Sequence, residues 1–237
     1  MVDCRASVLG VVQARMGSSR LPGKALADLA GKPLVWHMID RMRRVTGVGN
    51  IVLATTTDPR NEPLVAFCEA EGMGVYRHPE EDDLAGRIAG AIQGHDAEII
   101  LKTGGDCPLI DPDVLQKMVD TARAADRADF VSNRIDWSYP LGLSADVVSR
   151  SSIEWCDAHL TAPEDRELFA LYIRDHPDQF AVIPIRNDRD LSHLNWCVDT
   201  PEDYALMQRI FETLYRPGAC FGMQDVLDLL HSDLSSI

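Results

Sequence analysis

The sequence predicts an α/β protein whose first half is Rossmann-like, and two observations carry that expectation. Short apolar, β-rich runs take turns with stretches of helical periodicity, the pattern of a βαβ series whose parallel sheet is covered on both faces. The runs "VVQA" and "NIVLATT" also lack the polar and apolar alternation of a half-exposed strand, as strands buried on both faces do.

Taken in order, "SVLGVVQA" is expected as the first buried strand, and the "MVDCRA" before it has an acid and a base, unlike a signal peptide. Helix "PLVWHMIDRMRRV", strand "NIVLATT", helix "EPLVAFCEAE", strand "GVYR", helix "DDLAGRIAGAIQGH" and strand "EIILKT" follow. Next come helix "PDVLQKMVDTARAA" and strand "ADFVSNR". From 136 to about 190 the rhythm breaks into "WSYPLGLSADVVS", helical stretches around "SIEWCDAHL" and "EDRELFALYIRDH", and the strand-like "QFAVIPI"; this segment is expected to be an insertion or arm. The chain then returns to the core through "NWCVDTPEDYALMQRIFETLY", with Asp199 at a strand end, and closes on a short amphipathic helix, "GMQDVLDLLH".

Lys and Arg number 23 against 37 Asp and Glu, a formal charge of -14, which argues against a nucleic-acid partner because such binding needs a basic stripe. No apolar run approaches the ~18 to 20 residues of a membrane span, so no transmembrane helix is expected. The six cysteines (Cys4, Cys68, Cys107, Cys156, Cys197, Cys220) are spread singly without a CxxC pair, which suits a reducing cytoplasm.

Against that acidity, residues 13 to 24, "QARMGSSRLPGK", stand out. Arg15, Arg20, Lys24 and Lys32 face a single acid, Asp28, between Val11 and Lys32. The loop follows a strand that ends at Ala14, where open α/β sheets bind ligands. It places Gly17, Ser18, Ser19, Pro22 and Gly23 there, and the glycines permit a turn in which consecutive backbone N–H groups converge into an anion-binding nest. Arg15, Arg20 and Lys24 would add charge-assisted bonds to phosphate oxygens, as for a triphosphate. The loop matches neither G-x-x-x-x-G-K-[ST] nor G-x-G-x-x-G, and an ordinary basic surface loop explains its composition equally well.

Two further motifs contain an acid that helix grammar leaves over. In "KTGGDCPLIDPDV", Asp111 is an N-cap, Pro112 fits the first helical position and Asp113 suits the positive end of the dipole. Asp106, after Gly104 and Gly105, is unexplained. A carboxylate beside phosphates needs a divalent cation between them, and Mg²⁺ is usually held by one or two carboxylates plus phosphate oxygens. In "WCVDTPEDY", Thr200 and Asp203 make a near capping box, leaving Asp199 as a second ligand for the same ion. In "ATTTDPRNEP", Thr57 and Asp58 could meet a ribose or base edge, or form only an Asp-Pro turn. In "EEDDLAGR", the acids suit a helix N-terminus, while Asp83 and Arg87 could face a nucleotide.

Together "QARMGSSRLPGKAL", "TGGDCPLIDP" and "VDTPEDY" resemble the cytidylyltransferases that activate sugar acids, the superfamily of CMP-KDO and CMP-sialic acid synthetases, and within it the spore coat polysaccharide biosynthesis branch. The similarity spans residues 8 to 215. It implies a Rossmann-like three-layer α/β/α nucleotidyltransferase fold with a mixed, mostly parallel sheet, in a single domain over 1–237 whose segment at about 136–190 binds the acceptor or a second subunit. It also implies CTP, Mg²⁺, a homodimer and transfer of CMP to an anionic acceptor with release of pyrophosphate. By position, Ala14, Arg15, Gly17, Ser18, Ser19, Arg20, Lys24 and Gly105 would hold CTP, with Thr57, Asp58, Asp83 and Arg87 near the nucleotide. Asp106 and Asp199 would hold Mg²⁺, and Arg15 and Lys24 would join them as catalytic residues.

The sequence departs from that branch in the acceptor half. "YPLGLS" has Leu141 and Ser144 where two acids are common, and "REL" has Leu168 where a His is common. A sugar acid, another anionic sugar or a phosphonate remain as acceptors. A non-catalytic CTP-binding homologue and a nucleotidyltransferase using GTP or UTP are the competing readings.

Overall fold

The computed structural model describes residues 7–234, and side chains up to residue 232. Cys4 and the "MVDCRA" segment lie outside the described residues. The chain opens with β1 (Val8–Gln13), whose loop runs into a 3-10 turn at Lys24–Leu26. A small antiparallel hairpin, β2 (Asp28–Leu29) and β3 (Lys32–Pro33), then leads into α1 (Leu34–Arg43). The hairpin was not expected from the sequence; Ala30 at φ 50° and Gly31 at φ 82° make its left-handed two-residue turn.

The alternation continues with β4 (Val48–Thr56), α2 (Glu62–Ala70), β5 (Gly74–His78), α3 (Leu84–Ile92), β6 (Ile99–Gly104), α4 (Pro112–Ala124) and β7 (Phe130–Ser132). Next come β8 (Ala145–Ser149), α5 (Arg150–His159), α6 (Pro163–Glu167), α7 (Phe169–Asp175) and β9 (Val182–Pro184). The last elements are α8 (Pro201–Leu214) and α9 (Met223–Leu234). Capping follows the sequence closely. Asp111 accepts from the amides of Asp113 and Val114, Thr200 and Asp203 close a full capping box, and Asp83 caps α3.

Seven strands form one sheet in the order β5-β4-β1-β6-β8-β7-β9, mixed and mostly parallel, with β8 the strand antiparallel to both neighbours. Alternate strand residues feed two separate cores. Val8, Val12, Leu53, Leu101, Val131 and Val147 pack with α1, α2, α4 and α8 on one face. Leu9, Val11, Val52, Ile100, Phe130 and Val148 pack with α3, α5 and α7 on the other, so the fold is a three-layer α/β/α sandwich. Pro184 is tolerated because β9 is an edge strand.

Three expectations are revised. Part of the segment read as an arm, 145–149 and 182–184, lies within the main sheet, with β8 wedged between β6 and β7. The stretch around "EDRELFALYIRDH" is two helices, broken where Leu168 leaves helical dihedrals at φ -108°, ψ 32°. Residues 196–198 are buried and Asp199 is half-buried, but the stretch carries no regular strand; its backbone bonds instead to neighbouring loops, Trp196 N–H to the Leu141 carbonyl and Val198 N–H to the Asp106 carbonyl at 2.9 Å.

The sheet also places the site. From β1 the chain moves outward to β4 and β5, then crosses back to put β6 on the other side of β1. The carboxyl ends of β1 and β6, paired at Gln13 and Gly104, therefore form a topological switch point where the two following loops diverge. Gly105 lets them touch, since a Cβ there would stand 2.4 Å from the Ala14 Cβ. Gly142, at φ +103°, lies against the 196–197 backbone, where a Cβ would fall 2.5 Å from the Trp196 carbonyl carbon. Gly142→Ala is expected to destabilise the fold by about 1–3 kcal/mol through overpacking and backbone strain. Gly49→Ala, at a site with nothing within 4 Å, is expected to stay within about 0.5 kcal/mol of wild type. Urea unfolding midpoints of the two variants check this.

Candidate active site

The basic loop is fixed at both ends. The Met16 amide donates to Asn61 Oδ1 at 2.8 Å, and Asn61, itself buried, donates to Thr56 Oγ1 at 2.8 Å. At the far end Gly23 takes a left-handed φ of 77° and starts the 3-10 turn that aims Lys24 inward. The "ATTTDPRNEP" stretch thus anchors the loop through Asn61, a residue the sequence reading passed over.

Lys24 joins the two leftover aspartates. Its Nζ donates to Asp199 Oδ1 at 2.8 Å, to the Val198 carbonyl at 2.8 Å and to Asp106 Oδ2 at 3.3 Å. Arg20 reaches Asp199 Oδ2 at 3.0 Å. Burial works to lower the Lys24 pKa, but the Asp106 charge and the Asp199 bond outweigh it and hold the ammonium above its usual value. Burial likewise works to raise the Asp199 carboxyl, and Lys24, with help from Arg20, keeps it below the usual carboxylate range. Distant in sequence, Asp106 and Asp199 meet through one ammonium.

This junction sits in a cleft of about 470 Å³ lined by Ala14, Arg15, Ser18, Ser19, Arg20, Lys24, Arg87, Gly105, Asp106 and Asp199, all expected from the sequence. Arg87 is buried beside Arg15, with burial foremost and the Arg15 charge next in lowering its pKa. Its Nε is buried without a hydrogen-bond partner, while its terminal nitrogen donates to the Glu81 carbonyl at 2.8 Å. The cleft also has Gln13, Glu81, Asp82, Lys102, Arg134 and Leu168, of which the sequence singled out only Leu168, as a departure. Their signal was diluted: Glu81 and Asp82 read as helix-start acids, and Lys102 as part of a strand.

Four expected residues lie off the lining. Asp83 is bound to the α3 amide of Gly86, to His78 and in a two-pronged bridge to Arg166. Asp58 caps a 3-10 turn and pairs with Arg60. The Thr57 amide bonds to the His78 carbonyl. Gly17 lies against the Arg60 guanidinium. The helix-start and Asp-Pro-turn alternatives therefore describe Asp83 and Asp58.

A second pocket of about 310 Å³ shares Lys102, Asp106 and Arg134 with the cleft and is closed by Trp137, Leu141, Ser144, Asp146, Cys107 and Cys197. Asp146 is fully buried; the charges of Lys102 and Arg134 overcome that burial and hold its pKa down. Leu141 and Ser144, the two lost acids, face this pocket, whereas Leu168 stands on the cleft side. Trp137 and Leu168 are the large apolar side chains left exposed among the described residues.

The carboxylates of Asp106 and Asp199, turned to one cleft, are a hard oxygen donor set that fits Mg²⁺ better than a soft ion. Lys24→Met is expected to cost about 1–3 kcal/mol near pH 7, because two partly buried carboxylates lose their shared donor. In wild type the Asp199 contribution is complete above about pH 4 and is lost as the pH falls through its lowered folded pKa. The variant's deficit should therefore shrink on acidification. Urea midpoints from about pH 3 to 7 measure it.

Comparison with known proteins gives a consistent result. The chain matches the cytidylyltransferase family over residues 9–210, which includes all three motifs. It is 32% identical over 219 residues to the spore coat polysaccharide biosynthesis protein SpsF of Bacillus subtilis, covering 86% of each chain. A 3-deoxy-manno-octulosonate cytidylyltransferase of Trichlorobacter lovleyi is 35% identical over 113 residues, covering 48% of this chain and 44% of that protein. The structure of a cytidylyltransferase from Leptospira borgpetersenii superposes with a TM-score of 0.89 at 27% identity, over 97% of this chain and 96% of that one. With the family match running over residues 9–210 and a relative at 32% identity covered over 86% of its length, the protein belongs to the cytidylyltransferase family and is a CTP-dependent nucleotidyltransferase.

Proposed function

We propose that this protein transfers CMP from CTP to a hydroxyl of a sugar acid, with Mg²⁺ as the accompanying cation and pyrophosphate as the second product. The observation that carries this reading is the Lys24 junction, because Asp106 belongs at once to the large cleft and to the small pocket beside it. The cleft is where Arg15, Arg20 and Arg87 gather, and it suits the triphosphate. The pocket, with Arg134 and Lys102 at the shared wall, suits an acceptor bearing a carboxylate.

In this arrangement an acceptor oxygen attacks the α-phosphorus from the pocket side and the bond to pyrophosphate breaks on the cleft side. Arg15 and Arg20 orient the leaving phosphates, Lys24 supplies positive charge next to the reacting phosphate, and Asp106 and Asp199 would hold the Mg²⁺. That ion supplies charge neutralisation between carboxylates and phosphates. Catalysis is then mostly positioning and electrostatic stabilisation in a partly dry site. The loss of acids at Leu141 and Ser144 leaves a less negative pocket, which favours an anionic acceptor. The similarity to a 3-deoxy-manno-octulosonate cytidylyltransferase supports a sugar acid ahead of a phosphonate. The working form in this reading is a cytoplasmic homodimer; no helix among the described residues is long and apolar enough to cross a membrane.

Calorimetric titration should show CTP binding in preference to GTP and UTP, strengthened by Mg²⁺ in wild type and not in Asp106→Ala. If the metal effect survives that substitution, Asp106 is not a ligand. Pyrophosphate release should be seen with 3-deoxy-manno-octulosonate or another sugar acid, and release with a phosphonate alone would move the acceptor class. Lys24→Ala should lower kcat/KM by about 10²–10³-fold, the usual cost of removing a donor aimed at developing charge.

A further inference from the structure

Behind the Lys24 junction lie two thiols that the proposed reaction does not use. The Sγ atoms of Cys107 and Cys197 stand 3.7 Å apart, both residues are buried, and the Cys107 thiol donates to Asp106 Oδ1 at 3.3 Å. One ligand atom from each of Asp106, Cys107 and Cys197 falls within a sphere of mutual distances under 4.8 Å. The backbone holds them there. The Val198 amide bonds to the Asp106 carbonyl at 2.9 Å, the Cys197 amide to Asn195 Oδ1 at 3.0 Å, and Gly142 packs over the same peptide.

We propose that Cys107, Cys197 and Asp106 form a binding site for a thiophilic divalent cation of the zinc class, and that its occupancy inhibits the enzyme. Two thiolates on a tetrahedral ion at Zn–S distances of about 2.3 Å are about 3.8 Å apart, close to the observed separation. A disulfide would instead require the sulfurs to close to about 2.0 Å. A sulfur and a carboxylate oxygen on the same ion are about 3.5 Å apart, again near the observed contact. The three ligands line the small pocket, which leaves a fourth position open to water from that side. Binding is not a redox step: each thiol releases its proton to solvent as its metal–sulfur bond forms, two protons for one cation.

The site differs from the Mg²⁺ site in chemistry and in position. Two sulfur donors select a soft or borderline ion, whereas Asp106 and Asp199 across the lysine offer only oxygen. The two sites share Asp106. A cation held on the thiolate side takes the Oδ1 oxygen and enters the pocket wall, so it competes with the nucleotide-bound state. This inhibitory effect rests on the role of Asp106 proposed above, whereas the binding site itself does not.

The test uses the full chain, fully reduced, titrated with zinc against a chelator and separately with cobalt. Expected are one high-affinity equivalent, a thiolate-to-cobalt charge-transfer band, and an X-ray absorption shell of two sulfurs plus lighter atoms. Affinity should fall by more than the about 10–100-fold that loss of an outer partner costs in both Cys107→Ser and Cys197→Ser, and should be unchanged in Cys220→Ser. A shell with one sulfur or none, or equal affinity in all three variants, would overturn the site. If the serine variants do not fold, the sulfur count in wild type decides. Pyrophosphate release by wild type should decline in step with zinc occupancy. Zinc held by two sulfurs with turnover untouched would overturn the inhibitory part and the role of Asp106 with it, leaving the fold and the thiolate site intact.

Discussion

One ammonium group holds the functional end of this protein together. Asp106 follows the central strand β6, and Asp199 lies just before helix α8. Without Lys24 these two carboxylates would repel each other across the cleft. With it, three segments far apart in sequence share one charge-assisted network, completed by the Val198 carbonyl and by Arg20. The pair is only partly screened from water, so the attraction is moderate in strength, but its geometry sets where the aspartates point.

That network is possible because backbones approach closely around it. Gly105 brings the β6 loop against Ala14, and Gly142 brings the 139–144 stretch against Trp196 and Cys197. A methyl group at either place would push the two halves of the site apart. The same crowding that sets the aspartates also sets the two thiols, since Cys107 and Cys197 are sequence neighbours of the acids that Lys24 joins. Rigid placement of the carboxylates and of the sulfurs thus has a common origin in how the loops pack.

Charge is distributed unevenly for a physical purpose. A chain of net charge -14 repels anions on average, and a triphosphate can be drawn in only where the field is locally reversed. Arg15, Arg20, Lys24, Arg87, Lys102 and Arg134 line one cleft beside Glu81, Asp82, Asp106, Glu167 and Asp199, so cations outnumber acids there, while other acids serve in helix caps and bridges such as Asp83 with Arg166 and Asp58 with Arg60. Those acids look functional in a linear reading because caps and ligands draw on the same residue types.

The sequence by itself determined the layered α/β architecture, the order of its strands and helices up to β7 apart from the β2–β3 hairpin, the capping of α4 and α8, and the basic loop with its two leftover aspartates. Each of these is written in local signals: hydrophobic period, turn chemistry and cap spacing act within a few residues. Only the tertiary structure decided that β8 runs antiparallel inside the sheet, that Asn61 anchors the loop, that Lys102 and Arg134 join the site, and that Asp83, Asp58, Thr57 and Gly17 stand apart from it. It also decided that Asp106 and Asp199 meet on Lys24. The reason is the same in every case: these outcomes depend on contacts between segments distant in the chain, and such contacts are fixed by how strands pair and loops pack rather than by any pattern that neighbouring residues carry.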